Sequence, residues 1–260
     1  MAIPSASAAS TAAQNIWDLF LGGGQGNSAV QAARPFGSVV LDGIDLDNET
    51  PADATYQPAL ATALRSLMDA SANAGGKQYL LSAAPQCPRP DQSLPIAQML
   101  GVLDYVWVQF FNNPSCNVNA GSGFLASLQA WSNDLAAGAP SAASTITTGG
   151  VVNGIIGEPV MQTGTPPRPN KRQDGQDIES RAQMLTPARA PPKLVIGVLA
   201  TTVGTGNVDP PTLSGILTQV KGLGGLSNLA GVMYWDGSYE ELSGQGGAKS
   251  YAQVVREVLA

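Results

Sequence analysis

Eight consecutive residues concentrate the groups in this chain that can move a proton: Asp42-Gly43-Ile44-Asp45-Leu46-Asp47-Asn48-Glu49. Asp45, Asp47 and Glu49 are two apart, so an extended strand puts the three carboxylates on one face. Packing like charges that closely is costly, and the expected relief is proton sharing with raised pKa values. Asp42 has the opposite parity and faces away unless Gly43 bends the strand. The chain holds no histidine, which excludes Ser-His-Asp and Cys-His catalysis and any zinc site built with imidazole. Acid–base chemistry therefore falls to carboxylates, tyrosine or lysine.

Two other readings of the acidic segment stay open. A calcium loop of the EF-hand type needs Gly at its sixth position and Glu at its twelfth. Counted from Asp45 those positions hold Thr50 and Tyr56, so that motif fails. A magnesium or calcium site of another kind is one alternative, and a solvated acidic loop is the other. The apolar run entering the segment weighs against the loop.

The rest of the composition narrows the class. Thirteen basic against nineteen acidic residues give a formal charge of −6, which argues against nucleic acid as a partner. No stretch reaches the roughly 18 apolar residues that span a bilayer, so no membrane is expected. Residues 1–14 carry neither a basic region nor an apolar core and do not read as a secretory signal. With 30 glycines and 19 prolines the chain is turn-rich, unlike a coiled coil or a simple helical bundle. Cys87 and Cys116 can pair or stay free, and composition does not decide.

Elements alternate along the chain. Helices are expected at about 11–20, 56–73, 94–103, 124–135, 212–223 and 251–259, the second from Leu60, Leu64, Leu67 and Met68 on one face. Strands are expected at 38–41, 79–83, 105–111, 194–199 and 231–235. The continuous apolar run Ser38-Val39-Val40-Leu41 suits a strand buried on both faces. Five strand–helix alternations imply an α/β fold with a parallel sheet, most simply a β/α barrel. The acidic row then sits at the C-terminal rim, where barrels carry their catalytic groups. Leu21-Gly22-Gly23-Gly24 reads as a helix stop, and Trp107 and Trp131 read as core.

One stretch breaks the alternation. Residues 139–192 are rich in Gly, Pro and Thr, and six of the thirteen basic residues lie there or at its border, including Arg189 and Lys193. A mobile, solvated insertion is expected.

The pattern Asp42-x-x-Asp45-x-Asp47-x-Glu49 resembles the signature of the glycoside hydrolase family 18 chitinases. Ala83-Ala84-Pro85-Gln86-Cys87-Pro88 and Tyr105-Val106-Trp107-Val108-Gln109-Phe110-Phe111-Asn112-Asn113-Pro114 are similar to the plant and fungal class III branch. Gly231-Val232-Met233-Tyr234-Trp235 is similar to that family's last barrel strand. The resemblance covers most of the chain outside 139–192. It implies a single catalytic domain over 1–260, a Cys87–Cys116 disulfide and an extracellular protein.

The resemblance also implies a reaction, the retaining, substrate-assisted hydrolysis of β-1,4-linked N-acetylglucosamine in chitin or its oligomers. Glu49 is the implied general acid, and Asp47 orients the substrate's acetamido group and stabilises the charge it acquires. Asp45 shares a proton with Asp47. Trp235 floors the sugar, and Gln109 and Asn112 are candidate partners for sugar hydroxyls. No metal or organic cofactor is implied.

Two departures from the family stand out. Phe111 occupies the position of the family's catalytic tyrosine, whose hydroxyl donates to the acetamido oxygen. Only 41 residues precede Asp42, whereas a barrel allots roughly 30 to each βα unit. The expectation is therefore a partial (β/α)8 TIM-type barrel with strands 4–8 and without strands 1–3, a truncation that would also account for the missing signal. Chitin hydrolysis is the leading reading. A catalytically silent carbohydrate-binding or inhibitor-like protein on the same scaffold is the alternative.

Overall fold

The computed structural model describes residues 2–138 and 189–260. The expected insertion therefore lies outside the described residues except for 189–192. Helix α1 (Ala6–Phe20) begins where the Ser5 hydroxyl accepts the Ala8 N–H, and α2 (Ser28–Ala33) begins at an equivalent Asn27 cap. Five strands follow in order: β1 (Gly43–Leu46), β2 (Leu80–Ala83), β3 (Tyr105–Gln109), β4 (Lys193–Leu199) and β5 (Leu229–Trp235). Between and after them run α3 (Gln57–Asn73), α4 (Ser122–Ala137), α5 (Pro210–Leu223), α6 (Gly237–Ser243) and α7 (Tyr251–Leu259).

All four strand pairings are parallel and the order is sequential, β1-β2-β3-β4-β5. Parallel neighbours joined through helices are the repeating unit of a β/α barrel. Among the described residues β1 and β5 are the sheet edges, so the sheet is the five-stranded arc of a partial barrel. Its outer face is dry. Leu81, Val106, Val108, Leu194, Ile196 and Val198 are buried there with Leu64 and Met68 of α3, Phe124 and Leu128 of α4 and Leu217 of α5. Alternate residues point to the concave side, which places Asp45, Trp107, Gln109 and Met233 together.

The first strand is displaced from its expected place. Residues 38–41 are not a strand, and Val39 is 55% exposed. The carbonyls of Val39, Val40 and Leu41 are already taken. Arg34 donates to the carbonyls of Gly37 and Val39, and the Lys77 ammonium to those of Val40 and Leu41. Pairing starts at Gly43 opposite Leu80, where a Cβ would come within 2.1 Å of the Leu80 carbonyl oxygen. Glycine is what lets the two strands approach there.

The helix expected at 94–103 is also absent, apart from a short 3-10 turn at Ile96–Gln98. Asp91 accepts the backbone N–H groups of Gln86, Ser93 and Leu94. Those N–H groups lie before the expected helix or at its first residue, so Asp91 fixes the turns that lead into the segment. The helix stop after α1 holds, and a Cβ would meet the Tyr79 hydroxyl at Gly22 and the Trp17 ring at Gly23.

Two long-range ties fix the loops. Cys87 and Cys116 form a disulfide with an S–S distance of 2.01 Å, closing a separation of 29 residues. On the chain-entropy argument a loop of that length contributes about 3–4 kcal/mol. At the opposite end, Arg65 reaches Asp69 and Asp104 and donates to the Val102 and Tyr79 carbonyls. Arg189 joins the same two carboxylates. This corrects the expectation for Arg189, which is part of the folded body and not of a solvated basic loop.

Candidate active site

The carboxylate row is delivered by a strand that ends in its middle. Asp45 lies within β1, opposite Ser82 of β2, and Asp47 and Glu49 follow in the extended segment beyond Leu46. All three line one cavity of about 520 Å³. Asp42 points elsewhere and pairs with Lys77 at 2.7 Å, as its parity requires.

The neighbouring strands supply neutral donors. The Ser82 hydroxyl donates to Asp45 Oδ1 at 2.6 Å. Gln109, only 6% exposed at the end of β3, turns its amide N–H groups toward three acceptors. These are Asp47 Oδ1 at 3.1 Å, Glu49 Oε1 at 3.2 Å and the Ala84 carbonyl at 2.9 Å. An amide with two N–H groups facing three oxygens has no donor to spare. Gln109 in this state is therefore occupied with the carboxylates. Among the described residues the lining includes no Lys or Arg.

Phe111, Asn112 and Trp235 complete the wall. Phe111 is buried, just past the end of β3. Asn112 lines the cavity, but its Oδ1 accepts the Thr205 N–H at 2.8 Å and its backbone N–H donates to the Thr205 carbonyl. Its side-chain oxygen is thus spent on holding the loop after β4. Trp235 closes β5 and is 50% exposed. An indole so open at the mouth of a cavity is not a core residue. All seven residues expected at the site are brought together.

Beside the apolar lining of Ala84, Leu199 and Met233, the sequence does not single out Trp107 or Ser82 for the site. Trp107, taken there as core, lines the same cavity. Its position two before Gln109 on one strand was the signal, since the two share a face. Ser82 carried no local signal, because its role appears only through the register of β1 on β2. Trp131 is core as expected, with its indole N–H donating to the Cys87 carbonyl.

Electrostatics follow from the crowding. Solvent reaches Asp45 and Asp47 from the open side, yet the concave walls remove enough water to raise both carboxyl pKa values. Burial is the main cause for each. For Asp47 the charges of Glu49 and Asp45 add to the rise and the Gln109 amide opposes it. For Asp45 the Ser82 hydroxyl opposes it.

A raised carboxylate pKa means that the folded chain holds a proton the unfolded chain has released. Stability from these groups is therefore fully present below the ordinary value of 3.8 and is lost as pH rises through the raised folded values. Asp45→Asn removes that liability while keeping an oxygen for Ser82. Its melting temperature should exceed wild type at neutral pH, with the gap closing as pH falls toward 3.8. Thermal melts across that range check it, and a gap independent of pH would contradict it.

Comparisons with known proteins bear on the family and the fold. The chain is 44% identical over 126 residues to an endochitinase 3 of Metarhizium robertsii, covering 48% of this chain and 37% of that protein. It is 38% identical over 160 residues to the acidic endochitinase SE2 of Beta vulgaris, covering 60% and 50%. The chain thus spans half or less of these relatives. In structure it is similar to a xylanase and alpha-amylase inhibitor protein of Scadoxus multiflorus, with a TM-score of 0.61 at 22% identity, covering 100% of this chain and 69% of that one. It is also similar to the ICChI chitinase of Ipomoea carnea, with a TM-score of 0.58 at 24% identity, covering 92% and 65%. At those identities the structures speak for the fold alone. The model of the glycosyl hydrolases family 18 matches residues 4–223, most of the chain and all of its acidic row, and to that family the chain belongs.

Proposed function

We propose that this chain is a chitinase-type glycosidase that hydrolyses β-1,4-linked N-acetylglucosamine with retention, using the substrate's own acetamido group as nucleophile. The observation that carries the reading is the convergence of Asp45, Asp47 and Glu49 with Gln109 and the open Trp235 ring on one cavity. Family membership and the endochitinase relatives support it.

The reaction divides between the chain and the sugar. The exposed face of Trp235 takes the apolar face of a pyranose. Glu49, at the open side of the row, protonates the departing glycosidic oxygen. The acetamido oxygen then attacks C1 and closes an oxazolinium ring, and Asp47 accepts the acetamido N–H and faces the positive charge of that ring. Glu49, now a carboxylate, takes a proton from the water that opens the ring. This family is a named exception to the two-carboxylate scheme. The buried disulfide suits an oxidising compartment, so we place the protein outside the cytosol.

The test is product release from a chitin tetramer, followed by NMR at early times. The β-anomer should appear first, and a glucose tetramer of equal length, which lacks the acetamido group, should not be cut. Equal cleavage of both would overturn the mechanism. Phe111 favours a second reading, a silent chitin binder, because it brings no hydroxyl to the cavity. Tetramer binding without any turnover would select that reading.

A further inference from the structure

Donors from β2 and β3 grip the carboxylates from inside the cavity, but the tip of the row is also held from outside it. β1 pairs with β2 as far as Leu46 opposite Ala83, and the Ala84 N–H donates to the Leu46 carbonyl at 2.9 Å. Asp47, Asn48 and Glu49 lie past that last rung. Asp47 and Glu49 line the cavity and Asn48 does not, as the alternation of an extended segment requires. Asn48 is also less exposed than the carboxylate on either side of it. Its side-chain amide donates to two main-chain carbonyls, Ser93 at 2.7 Å and Thr50 at 3.0 Å.

We infer that Asn48 is a positioning residue, which ties the tip of the row to the loop after β2 and fixes the place from which Glu49 acts. The role of Glu49 rests on the proposed function, whereas the tie itself is independent of it. The anchor is firm. Ser93 is 5% exposed, and its N–H donates to Asp91 Oδ1 at 2.6 Å. The other oxygen of Asp91 accepts the Gln86 N–H at 2.6 Å. Cys87 follows directly, where its N–H donates to the Gln109 carbonyl and its sulfur is held in the disulfide. Asn48 therefore joins Glu49 to the framework that carries Gln109.

The two amides hold different parts of the segment. Gln109 meets Asp47 and Glu49 at the ends of their side chains, where rotation can keep the contact while the main chain shifts. Asn48 holds the main chain. Its bond to Ser93 spans 45 residues of sequence. Its bond to Thr50 folds the segment back on itself, at a carbonyl that also accepts the Asp53 N–H at 3.0 Å. An amide with both N–H groups engaged is restricted to one orientation. A reacting group misplaced by about 1 Å can cost roughly 10² in rate. Asn48 lies outside the lining, so its loss should be felt in the chemical step and not in affinity for the sugar.

The experiment is NMR on the full chain, with Asn48→Leu and Asn48→Gln beside wild type. Leucine is close to asparagine in size and has no N–H to give. Backbone order parameters at residues 47–49 should fall from about 0.85 in the wild type to below about 0.6 in Asn48→Leu. Asn48→Gln keeps the amide and should stay nearer the wild type. Unchanged order in a cooperatively melting Asn48→Leu would overturn the inference. In the wild type alone, the Asn48 side-chain protons should exchange with solvent about tenfold more slowly than those of exposed Asn133, the protection that one net hydrogen bond gives. Equal exchange would overturn the tie whether or not the variants fold. These readouts need no turnover, so they separate this inference from the hydrolase reading. If the chain hydrolyses the tetramer, Asn48→Leu should lower kcat by roughly 10 to 10² and Asn48→Gln should recover it. Tetramer affinity should stay within about threefold. An undiminished kcat, or affinity lost in step with it, would overturn the positioning role.

Discussion

Glu49→Gln should lower turnover of a chitin tetramer by roughly 10² to 10⁴, the range that a positioned general acid supplies. The substitution is nearly isosteric. Its amide oxygen can still accept from Gln109, which lies 3.2 Å from Glu49 Oε1 in the wild type. What it lacks is a proton to give to the leaving oxygen and a carboxylate to receive one from water. Affinity for the tetramer should therefore stay within about threefold, a difference of about 0.7 kcal/mol. Initial rates and a binding isotherm on the same preparation check both halves. A variant retaining a tenth of the wild-type rate would remove Glu49 from the acid's role. Loss of binding together with rate would instead mark it as a substrate ligand.

The acidic row was legible because its signal is local: three carboxylates at period two need only a strand or its extension to converge. The alternation of strands and helices was legible for the same reason. What could not be read was the competition for backbone groups. Nothing in Ser38-Val39-Val40-Leu41 says that Arg34 and Lys77 will claim its carbonyls, and those contacts move the strand to Gly43. Asp91 likewise ties the chain ahead of Leu94 into turns by accepting three N–H groups. In both cases the winning interaction is a side chain reaching the main chain, which hydrophobic periodicity does not register.

The site shows the same division. Gln109 was legible as a polar residue at a strand end, but its attachment to both Asp47 and Glu49 depends on pairing partners about 60 residues apart, at separations of 62 and 60. Ser82 is an ordinary strand serine until β1 and β2 are in register. Trp107 was misplaced for a different reason, since an apolar aromatic in a strand is core in most settings. Here the concave face of the sheet is the site, so a residue of the right parity lines it.

Phe111→Tyr should raise turnover by tenfold or more. Phe111 is 6% exposed and lines the same cavity as Asp45, Asp47 and Glu49. The ring is therefore held in place, and a hydroxyl added to it enters a preorganised position, not a mobile one. Holding a nucleophile in line for attack spares the cost of orienting it, and one fixed hydrogen bond that does so is expected to give about tenfold in rate, or about 1.4 kcal/mol. The oxygen concerned is that of the acetamido group, which loses electron density to C1 as the ring closes. A hydroxyl beside it holds the group in line with C1 before the ring closes. The gain should then appear in kcat more than in KM. Steady-state kinetics on the tetramer distinguish the outcomes. An unchanged kcat would show that position 111 does not reach the acetamido group, and the slow chemistry would have to be sought in the carboxylate row. A gain confined to the tyrosine variant and abolished again by Glu49→Gln would join the two residues in one reaction.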